Sequence, residues 1–192
     1  MLPGRPASSV LWPASGWSFL KDTVPRTTRV ACLYDAAEPG SPATVQVVRE
    51  AAGPLGLTIE ALGVQTPDDF DRASEAATRF SADTLFVNQG AGLRRPMPRV
   101  VEFAAKNRLP AMYAWRQAVD IGGLMAYGPD TAAMYRRAAP YYVDRILQGA
   151  SPAGLPVEQP SRFDLIVNLK TAHTLGIAVP GAVLAQATEI VQ

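Results

Sequence analysis

The sequence is poor in the residues that carry most enzyme and metal chemistry: it has one cysteine and one histidine among 192 residues. Cys32 therefore has no intrachain disulfide partner, and a cysteine-based zinc site is excluded. It lies in the apolar run 30–34, which is typical of a buried strand, so we interpret it as a core side chain. His173 lies in a short helical pattern without a G-x-S-x-G motif elsewhere, which favours a surface residue over a catalytic base.

The sequence also lacks an excess of charge of either sign and lacks long apolar runs. The chain has 18 basic and 17 acidic residues, a net charge of +1, so no nucleic-acid partner is predicted. None of its apolar runs reaches the roughly 20 residues that a membrane-spanning helix needs. Three prolines, Pro3, Pro6 and Pro13, interrupt the start, where a signal peptide would need a continuous apolar region. The chain, if translated as given, is therefore expected to be cytoplasmic.

What the sequence does contain is an alternation of short apolar strands and helical stretches. Strand patterns begin near residues 29, 57, 84 and 109, about 27 residues apart, with helices between them. This spacing predicts an α/β fold, a Rossmann-like parallel sheet with flanking helices on both faces. A fifth strand is predicted at 123–127.

Three segments follow from these patterns. Residues 1–27 are predicted to be irregular, 28–129 to form a Rossmann-like lobe, and 130–192 to form a long helix and a tail. The helix is predicted at 130–148, with a kink at Pro140, which lacks the backbone N–H that an α-helix uses. The tail contains several prolines and a β-rich pentad at 164–168.

In an open α/β sheet, ligands bind beyond the carboxyl ends of the strands. This rule selects seven candidate ligand-binding residues: Tyr34, Asp35, Asn88, Gln89, Trp115, Tyr127 and Asp130. They suit recognition better than catalysis, because few of them titrate. Asp35 and Asp130, each taken alone, are explained better as caps of turns than as ligand contacts. Trp115 fits a core residue at the edge of the sheet as well as it fits a site residue.

Cofactor and metal sites find little support. The stretch 88–92 contains G-x-G, but Arg95 stands where a dinucleotide fingerprint needs its third glycine, so no cofactor is predicted. Asp68, Asp69 and Asp71 lie in the first turn of a predicted helix, where acids interact favourably with the helix dipole, so no metal site is predicted.

Ordered blocks between residues 108 and 177 resemble a known family. They are Arg108–Tyr113, Gly122–Asp130, Tyr135–Ala139, Tyr142–Ala150, Leu155–Pro160, Phe163–Ala172 and Leu175–Ile177. These blocks are similar to the bacterial ABC-transporter substrate-binding protein family that includes tryptophan- and tyrosine-type uptake proteins. The resemblance implies a type I periplasmic binding protein: two Rossmann-like lobes joined by a hinge, which capture a small solute, possess no enzyme activity and deliver the solute to an ABC permease in the periplasm.

The resemblance also implies an incomplete chain. It begins near 19–25, which resembles the end of the first lobe in the family, so most of that lobe is expected to be missing. Residues 155–167 would cross between lobes, and the helix at 130–148 would pack on the first lobe. Without that lobe, Tyr141, Tyr142 and Ile146 are expected to be partly exposed and to favour a homodimer through this helix.

Two other functions stay open on the residues alone. One is a ligand-sensing or oligomerising regulatory domain, because the same fold serves that role. The other, with the least support, is a nucleotide-dependent enzyme on a doubly wound sheet, because the glycine pattern is incomplete and an acid–base pair is missing.

Overall fold

A computed structural model describes residues 12–156, 160 and 162–192. Seven strands lie within these residues: β1 (Arg29–Asp35), β2 (Thr58–Val64), β3 (Thr84–Val87), β4 (Ala111–Tyr113), β5 (Met125–Pro129), β6 (Phe163–Asn168) and β7 (Glu189–Val191). The α-helices are α1 (Trp12–Thr23), α2 (Ser41–Ala52), α3 (Pro67–Arg79), α4 (Met97–Lys106), α5 (Arg116–Asp120), α6 (Thr131–Ala138), α7 (Asp144–Leu147), α8 (Leu169–Leu175) and α9 (Gly181–Leu184).

The strands form one sheet in the order β2-β1-β3-β4-β5-β6-β7. The first five strands are parallel, as predicted from the strand spacing. The tail pentad does form a strand, but β6 runs antiparallel to β5, with Ala126 opposite Ile166. The last strand, β7, was not predicted and pairs with β6 in parallel. The fold is therefore a mostly parallel α/β sheet with flanking helices.

Helices cover both faces of this sheet. Helix α1 contacts α2 and α9 on one face, while α4 contacts α5 on the other. On that second face α3 and α4 meet through Phe70 and Phe103, whose rings contact edge-on at 6.1 Å. The chain reverses its direction across the sheet after β2, so right-handed crossovers place α2 and α3 on opposite faces.

The central strands are the core of the molecule. All described side chains of β3 and β4 are buried, and Cys32 in β1 is completely buried. Burial raises the pKa of the Cys32 thiol to about 12, so the thiol stays neutral and unreactive. The prediction of a core cysteine is confirmed.

Helix α3 begins as its sequence predicts. Thr66 is the N-cap, Pro67 takes the first position, and Asp69 completes a capping box. The Asp69 carboxylate accepts hydrogen bonds from the Thr66 backbone and hydroxyl and from the Gln65 backbone, and these lower its pKa to about 2. Ser41 is a residue type common at N-caps, but it is the first residue of α2. Gly40 is the N-cap, and the Ser41 hydroxyl donates to the Asp35 carbonyl oxygen.

The prediction that residues 1–27 are irregular is wrong for 12–23, which form α1. Residues 1–11 lie outside the described part. Trp17 of α1 is completely buried and stacks on Phe86 of β3 at a centroid distance of 3.9 Å. Gly16 permits this close approach, because a Cβ there would lie 3.3 Å from the Phe86 ring. Tertiary packing, rather than local sequence, therefore stabilises the helix.

The single helix predicted at 130–148 is divided in the structure. Helix α6 ends at Ala138, a π-helical turn spans Ala139–Val143, and α7 follows. Pro140 lies inside the π turn, where the widened ring of hydrogen bonds accommodates a residue without a backbone N–H. The expected interruption at Pro140 is confirmed. Residues 157–159 and 161 of the predicted lobe crossing, 155–167, lie outside the described part.

Candidate functional site

An open groove of about 1030 Å³ lies beyond the carboxyl ends of β3 and β5. Its walls come from the loop after β3, the end of β5, the first turns of α6, the π turn and the stretch that precedes β6. The lining residues are Gln89, Arg94, Pro129, Asp130, Thr131, Ala133, Met134, Tyr135, Arg137, Ala138, Tyr142, Pro160 and Arg162. This place and size are typical of small-molecule sites in α/β proteins.

The loop after β3 is fixed by Asp35 at the end of β1. Asp35 is buried, and its Oδ2 accepts a hydrogen bond of 2.7 Å from the Gly92 backbone N–H. Its Oδ1 accepts another of 3.0 Å from the Ala37 N–H. Gly90 must lack a side chain here, because a Cβ would lie 2.3 Å from the Asp35 Cβ. The loop thus fills the crevice between β1 and β3, where the strand order reverses, and the groove lies beside it.

Arg94 connects this loop to the core beneath the groove. Its guanidinium carbon lies 5.3 Å from the centroid of the Trp115 ring, a cation–π distance. Trp115 is buried, and its indole Nε1 has no hydrogen-bond partner among the described residues. Arg94 itself is exposed and lines the groove. Trp115 therefore acts as a platform for Arg94.

The opposite wall is anchored by Asp130, between β5 and α6. Its Oδ1 accepts a hydrogen bond of 2.8 Å from the Ala133 N–H, and its backbone N–H donates to the Arg162 carbonyl oxygen at 3.1 Å. The other carboxylate oxygen lies 3.9 Å from Nη2 of Arg136. Tyr142 of the π turn donates its hydroxyl hydrogen to the Pro156 carbonyl oxygen at 2.9 Å. These contacts hold α6 and the π turn against the segment that leads into β6.

Of the seven predicted site residues, the structure brings only Gln89 and Asp130 to the groove. Asp35 and Asn88 are buried in its supporting loop, where the Asn88 side chain accepts a hydrogen bond from the Gln89 N–H at 2.8 Å. Trp115 lies under Arg94. The alternative interpretations of Asp35 and Asp130 as caps, and of Trp115 as core, agree with these contacts.

The two tyrosines among the seven lie elsewhere. Tyr34 is close to β2, because a Cβ on Gly63 would lie 3.0 Å from its hydroxyl oxygen. Tyr127 stacks on Phe163 at 5.6 Å and contacts Phe19 of α1 at 5.3 Å. Neither tyrosine lines the groove. The ring of Tyr127 is instead held by Phe19 and Phe163, and that of Tyr34 lies against β2.

Sequence reasoning missed three arginines of the groove: Arg94, Arg137 and Arg162. Arg94 had one available signal, since the adjacent pair Arg94–Arg95 follows directly after the glycine-containing strand-end loop. Arg137 and Arg162 reach the groove through the arrangement of α6 and β6, which the sequence alone did not define.

Among the described residues, no group of three or more histidine, cysteine or acidic side chains is arranged to hold a metal ion. In the same part of the chain, none of the helices combines the length and the apolar character that crossing a membrane requires.

Comparison with known proteins assigns the family. The family model described as ABC transporter substrate binding protein matches residues 17–191. The chain belongs to this family. No curated protein sequence is a significant match to this substrate-binding protein.

Solved structures share the fold of this substrate-binding protein. An ABC domain in complex with L-Trp from Streptococcus pneumoniae superposes with a TM-score of 0.86 at 24% identity, covering 94% of this chain and 62% of its own. A conserved domain protein from Vibrio cholerae gives 0.85 at 22% identity, covering 93% and 60%. The ligand-free, open structure of a Clostridium difficile substrate-binding protein with adhesive properties gives 0.66 at 22% identity, covering 92% and 59%. The chain thus spans about three fifths of the length of these structures.

Proposed function

We propose that the protein is the solute-binding component of an ABC transporter, that it binds a small organic solute in the groove, and that it delivers the solute to a permease from the periplasm. The observation that carries the proposal is the coincidence of two facts. The chain belongs to a substrate-binding family, and it has an open groove of about 1030 Å³ at the strand ends.

The groove suits a planar solute with polar groups. Arg94, supported by Trp115, and the amide of Gln89 offer hydrogen-bond donors at the end of the sheet. Met134 and Tyr142 offer apolar and aromatic surface from the α6 side. The similar structure from Streptococcus pneumoniae holds L-Trp, so aromatic amino acids are the first solutes to test.

The proposed function is the binding of a solute without catalysis of a reaction. The groove-lining residues include no histidine or cysteine, and the carboxylate of Asp130 is engaged by the α6 backbone. The described part of the lining therefore contains no general acid–base pair of the kind that catalysis uses. The alternative of a regulatory domain has no particular feature of the groove in its favour.

A pair of alanine variants tests the proposal. Ala133 lines the groove, whereas the adjacent Ala132 is exposed outside it, so tryptophan at 133 fills the groove and tryptophan at 132 does not. Both substitutions replace alanine by tryptophan within α6 and so change the intrinsic helix propensity by the same amount. Ala132→Trp is therefore a matched control. Isothermal titration calorimetry with amino acids and small organic acids measures binding to the two variants and the original protein.

The expected result is saturable binding of at least one solute, lost in Ala133→Trp and kept in Ala132→Trp. Absence of binding across the whole panel would contradict the proposal, and so would binding that survives Ala133→Trp.

A further inference from the structure

A second cavity lies apart from the groove, between α4 and α8. It is a crevice of about 70 Å³, and its lining includes Leu109 and Ala111 at the start of β4 and Leu124 just before β5. It therefore lies near the amino ends of these strands, whereas the groove lies beyond the carboxyl ends. The residues that line the crevice all belong to the described part of the chain, and none of them lines the groove.

The crevice exists because small residues stand where larger side chains would fill the space. Helix α4 presents Ala104 and Ala105 to it, and Gly122 lines it from the loop before β5. The φ of Gly122 is +104°, in the left-handed region, and a Cβ there would meet nothing within 4 Å. The crevice is about half as large as an engineered apolar cavity that binds benzene, so a molecule of about four or five non-hydrogen atoms suits it.

Two side-chain hydrogen bonds hold the walls of the crevice in place. Thr171 of α8 donates its hydroxyl hydrogen to the Gly122 carbonyl oxygen at 3.0 Å, and Nη2 of Arg108 donates to the Thr174 carbonyl oxygen at 3.3 Å. Arg108 itself has a φ of 52°, a conformation that residues other than glycine seldom adopt. These bonds connect α8 to the loops before β4 and β5, so the crevice is preformed, as small-molecule sites usually are.

The hydroxyl of Tyr113 has no hydrogen-bond partner among the described residues. Tyr113 lines the crevice and is only 1% exposed. Its ring lies close against Gly123, where a Cβ would be 2.8 Å from the ring. Loss of water on burial raises the pKa of Tyr113 above its usual range, and no hydrogen bond from the described residues contributes to this shift. A hydroxyl buried without a partner is unfavourable, so an acceptor oxygen in the crevice would stabilise it.

We infer that this crevice is a second small-molecule site, which binds a short uncharged molecule with an aliphatic body and one carbonyl oxygen. The alanine and leucine side chains contact the aliphatic body, and the Tyr113 hydroxyl donates to the oxygen. The ligand is uncharged, because the one ionised side chain of the lining, Arg108, is exposed at the mouth and a charged group would lose its water deeper in the crevice. This site is independent of the proposed function, since it shares no residue with the groove.

Two probes of the same shape test this inference: butanone, and its hydrocarbon isostere in which a methylene group replaces the carbonyl oxygen. Each is titrated into the whole 192-residue chain, and the backbone amide signals are followed by proton–nitrogen correlation NMR. We expect butanone to shift the amide signals of Gly122 and Thr171 with a Kd of about 1 mM, which so few atoms can supply. The hydrocarbon should bind about tenfold more weakly, seen as smaller shifts at equal concentration, because it offers the buried hydroxyl no acceptor. The signals of Gln89 and Asp130 in the groove should not move.

Three variants assign the binding to the crevice. Tyr113→Phe keeps the ring and removes the hydroxyl, so it should weaken the binding of butanone about tenfold and leave the binding of the hydrocarbon unchanged. Thr174→Trp adds a large side chain to the exposed part of the α8 wall and should abolish the binding of both probes. His173→Trp is its control, because His173 is exposed on the same helix but does not line the crevice.

The outcomes are separate from those for the groove. Absence of saturable shifts around the crevice at butanone concentrations up to about 10 mM overturns the inference. The inference is also overturned if butanone binding survives Thr174→Trp, is unchanged in Tyr113→Phe or is lost equally in His173→Trp, or if the hydrocarbon binds as tightly as butanone. None of these results changes the outcome expected for Ala133→Trp, which tests the proposed function in the groove.

Discussion

Asp35 at the end of β1 holds Gly92 in the loop after β3, through a hydrogen bond of 2.7 Å from the Gly92 N–H to Asp35 Oδ2. The two residues are 57 positions apart, and the contact ties the loop that carries Gln89 and Arg94 to the end of β1. The loop packs so closely on Asp35 that it fills the crevice at which doubly wound sheets most often bind ligands. The groove-lining Gln89 and Arg94 stand on either side of this attachment.

Gly90→Ala tests how tightly the loop is packed. The φ of Gly90 is 174°, an extended conformation that alanine adopts without strain, so only the steric contact with Asp35 opposes the change. The new Cβ would lie 2.3 Å from the Asp35 Cβ, and relief of such overpacking costs about 1–3 kcal/mol. Urea unfolding should show this loss. Gly53→Ala, which has no heavy atom within 4 Å of the new Cβ and a helical φ of −54°, should change stability by less than about 1 kcal/mol. If the two substitutions lowered the free energy of unfolding equally, the tight packing of the loop on Asp35 would be contradicted.

Trp17→Ala tests whether α1 is an integral part of the domain. Trp17 is fully buried on Phe86, so truncation leaves a large cavity and should cost about 3–5 kcal/mol of the free energy of unfolding. Asp22→Ala on the same helix changes an exposed side chain and should have an effect within about 0.5 kcal/mol. Thermal or urea unfolding measures both. A small effect of Trp17→Ala would mean that α1 does not contribute to the stable core.

Much of the sheet could be predicted from the sequence because its signal is local. Each of the first five strands is a short apolar run bounded by turn residues, and the helices between them begin at recognisable caps such as Thr66. Helix α1 could not be predicted in this way, because its stability depends on the contact of Trp17 with Phe86, about 70 residues away along the chain. The antiparallel direction of β6 was missed for the same reason, since its register with β5 is non-local.

The candidate site was only partly predictable. The rule that ligands bind beyond the carboxyl ends of the strands correctly selected Gln89 and Asp130, which line the same groove. Their role in binding remains a prediction. The rule selected Tyr127 as well, whose ring is held between Phe19 and Phe163 by the packing of α1 and β6. Arg162 was missed, because its place in the groove depends on the path of the chain into β6.

Acid should weaken the junction between β1 and β3 at Asp83. Burial alone would raise the pKa of Asp83, but hydrogen bonds from Thr27, Thr28 and the Arg29 N–H outweigh it and lower the pKa below 3.8. A lowered folded-state pKa stabilises the protein above the unfolded value, and this contribution is lost as pH falls through the folded value. Asp83→Asn should therefore cost about 1 kcal/mol at neutral pH, with the partial exposure of the carboxylate taken into account.

The measurement for Asp83 is urea unfolding of the original protein and of Asp83→Asn across the acid range. The difference in free energy of unfolding should shrink as pH falls below 3.8, the value for an unperturbed aspartate. Asp69, whose pKa is also lowered, is present in both proteins and cancels in the difference. If the difference in free energy of unfolding stayed constant with pH, the destabilisation by Asp83→Asn would come from altered packing or hydrogen-bond geometry and not from loss of the carboxylate charge.

Arg116 should couple to Glu189 more strongly than to Asp120. Its Nη1 and Nη2 form a bidentate pair with the two Glu189 oxygens at 2.9 and 2.7 Å, whereas its Nε lies 3.4 Å from Asp120. Both pairs are about half exposed, so we expect roughly 0.5–1 kcal/mol for the first and less than about 0.5 kcal/mol for the second. Double-mutant cycles with alanine measure each coupling. Equal couplings would mean that the link from α5 to β7 adds nothing beyond ordinary surface charge.

The surface of the π turn and α7 should promote self-association. Val143, Ile146 and Leu147 are 54%, 41% and 81% exposed, an unusual concentration of large apolar side chains on a short segment. We expect size-exclusion chromatography with light scattering to show a concentration-dependent dimer, because association removes this surface from water. The combined variant Val143→Lys and Leu147→Lys should shift the protein to monomer, and lysine near the end of α7 is compatible with its dipole. Ile121→Lys, at an isolated residue that is 50% exposed, is the control and should leave association unchanged. A monodisperse monomer at every concentration would refute this prediction, and an equal effect of Ile121→Lys would place the contact on a different face.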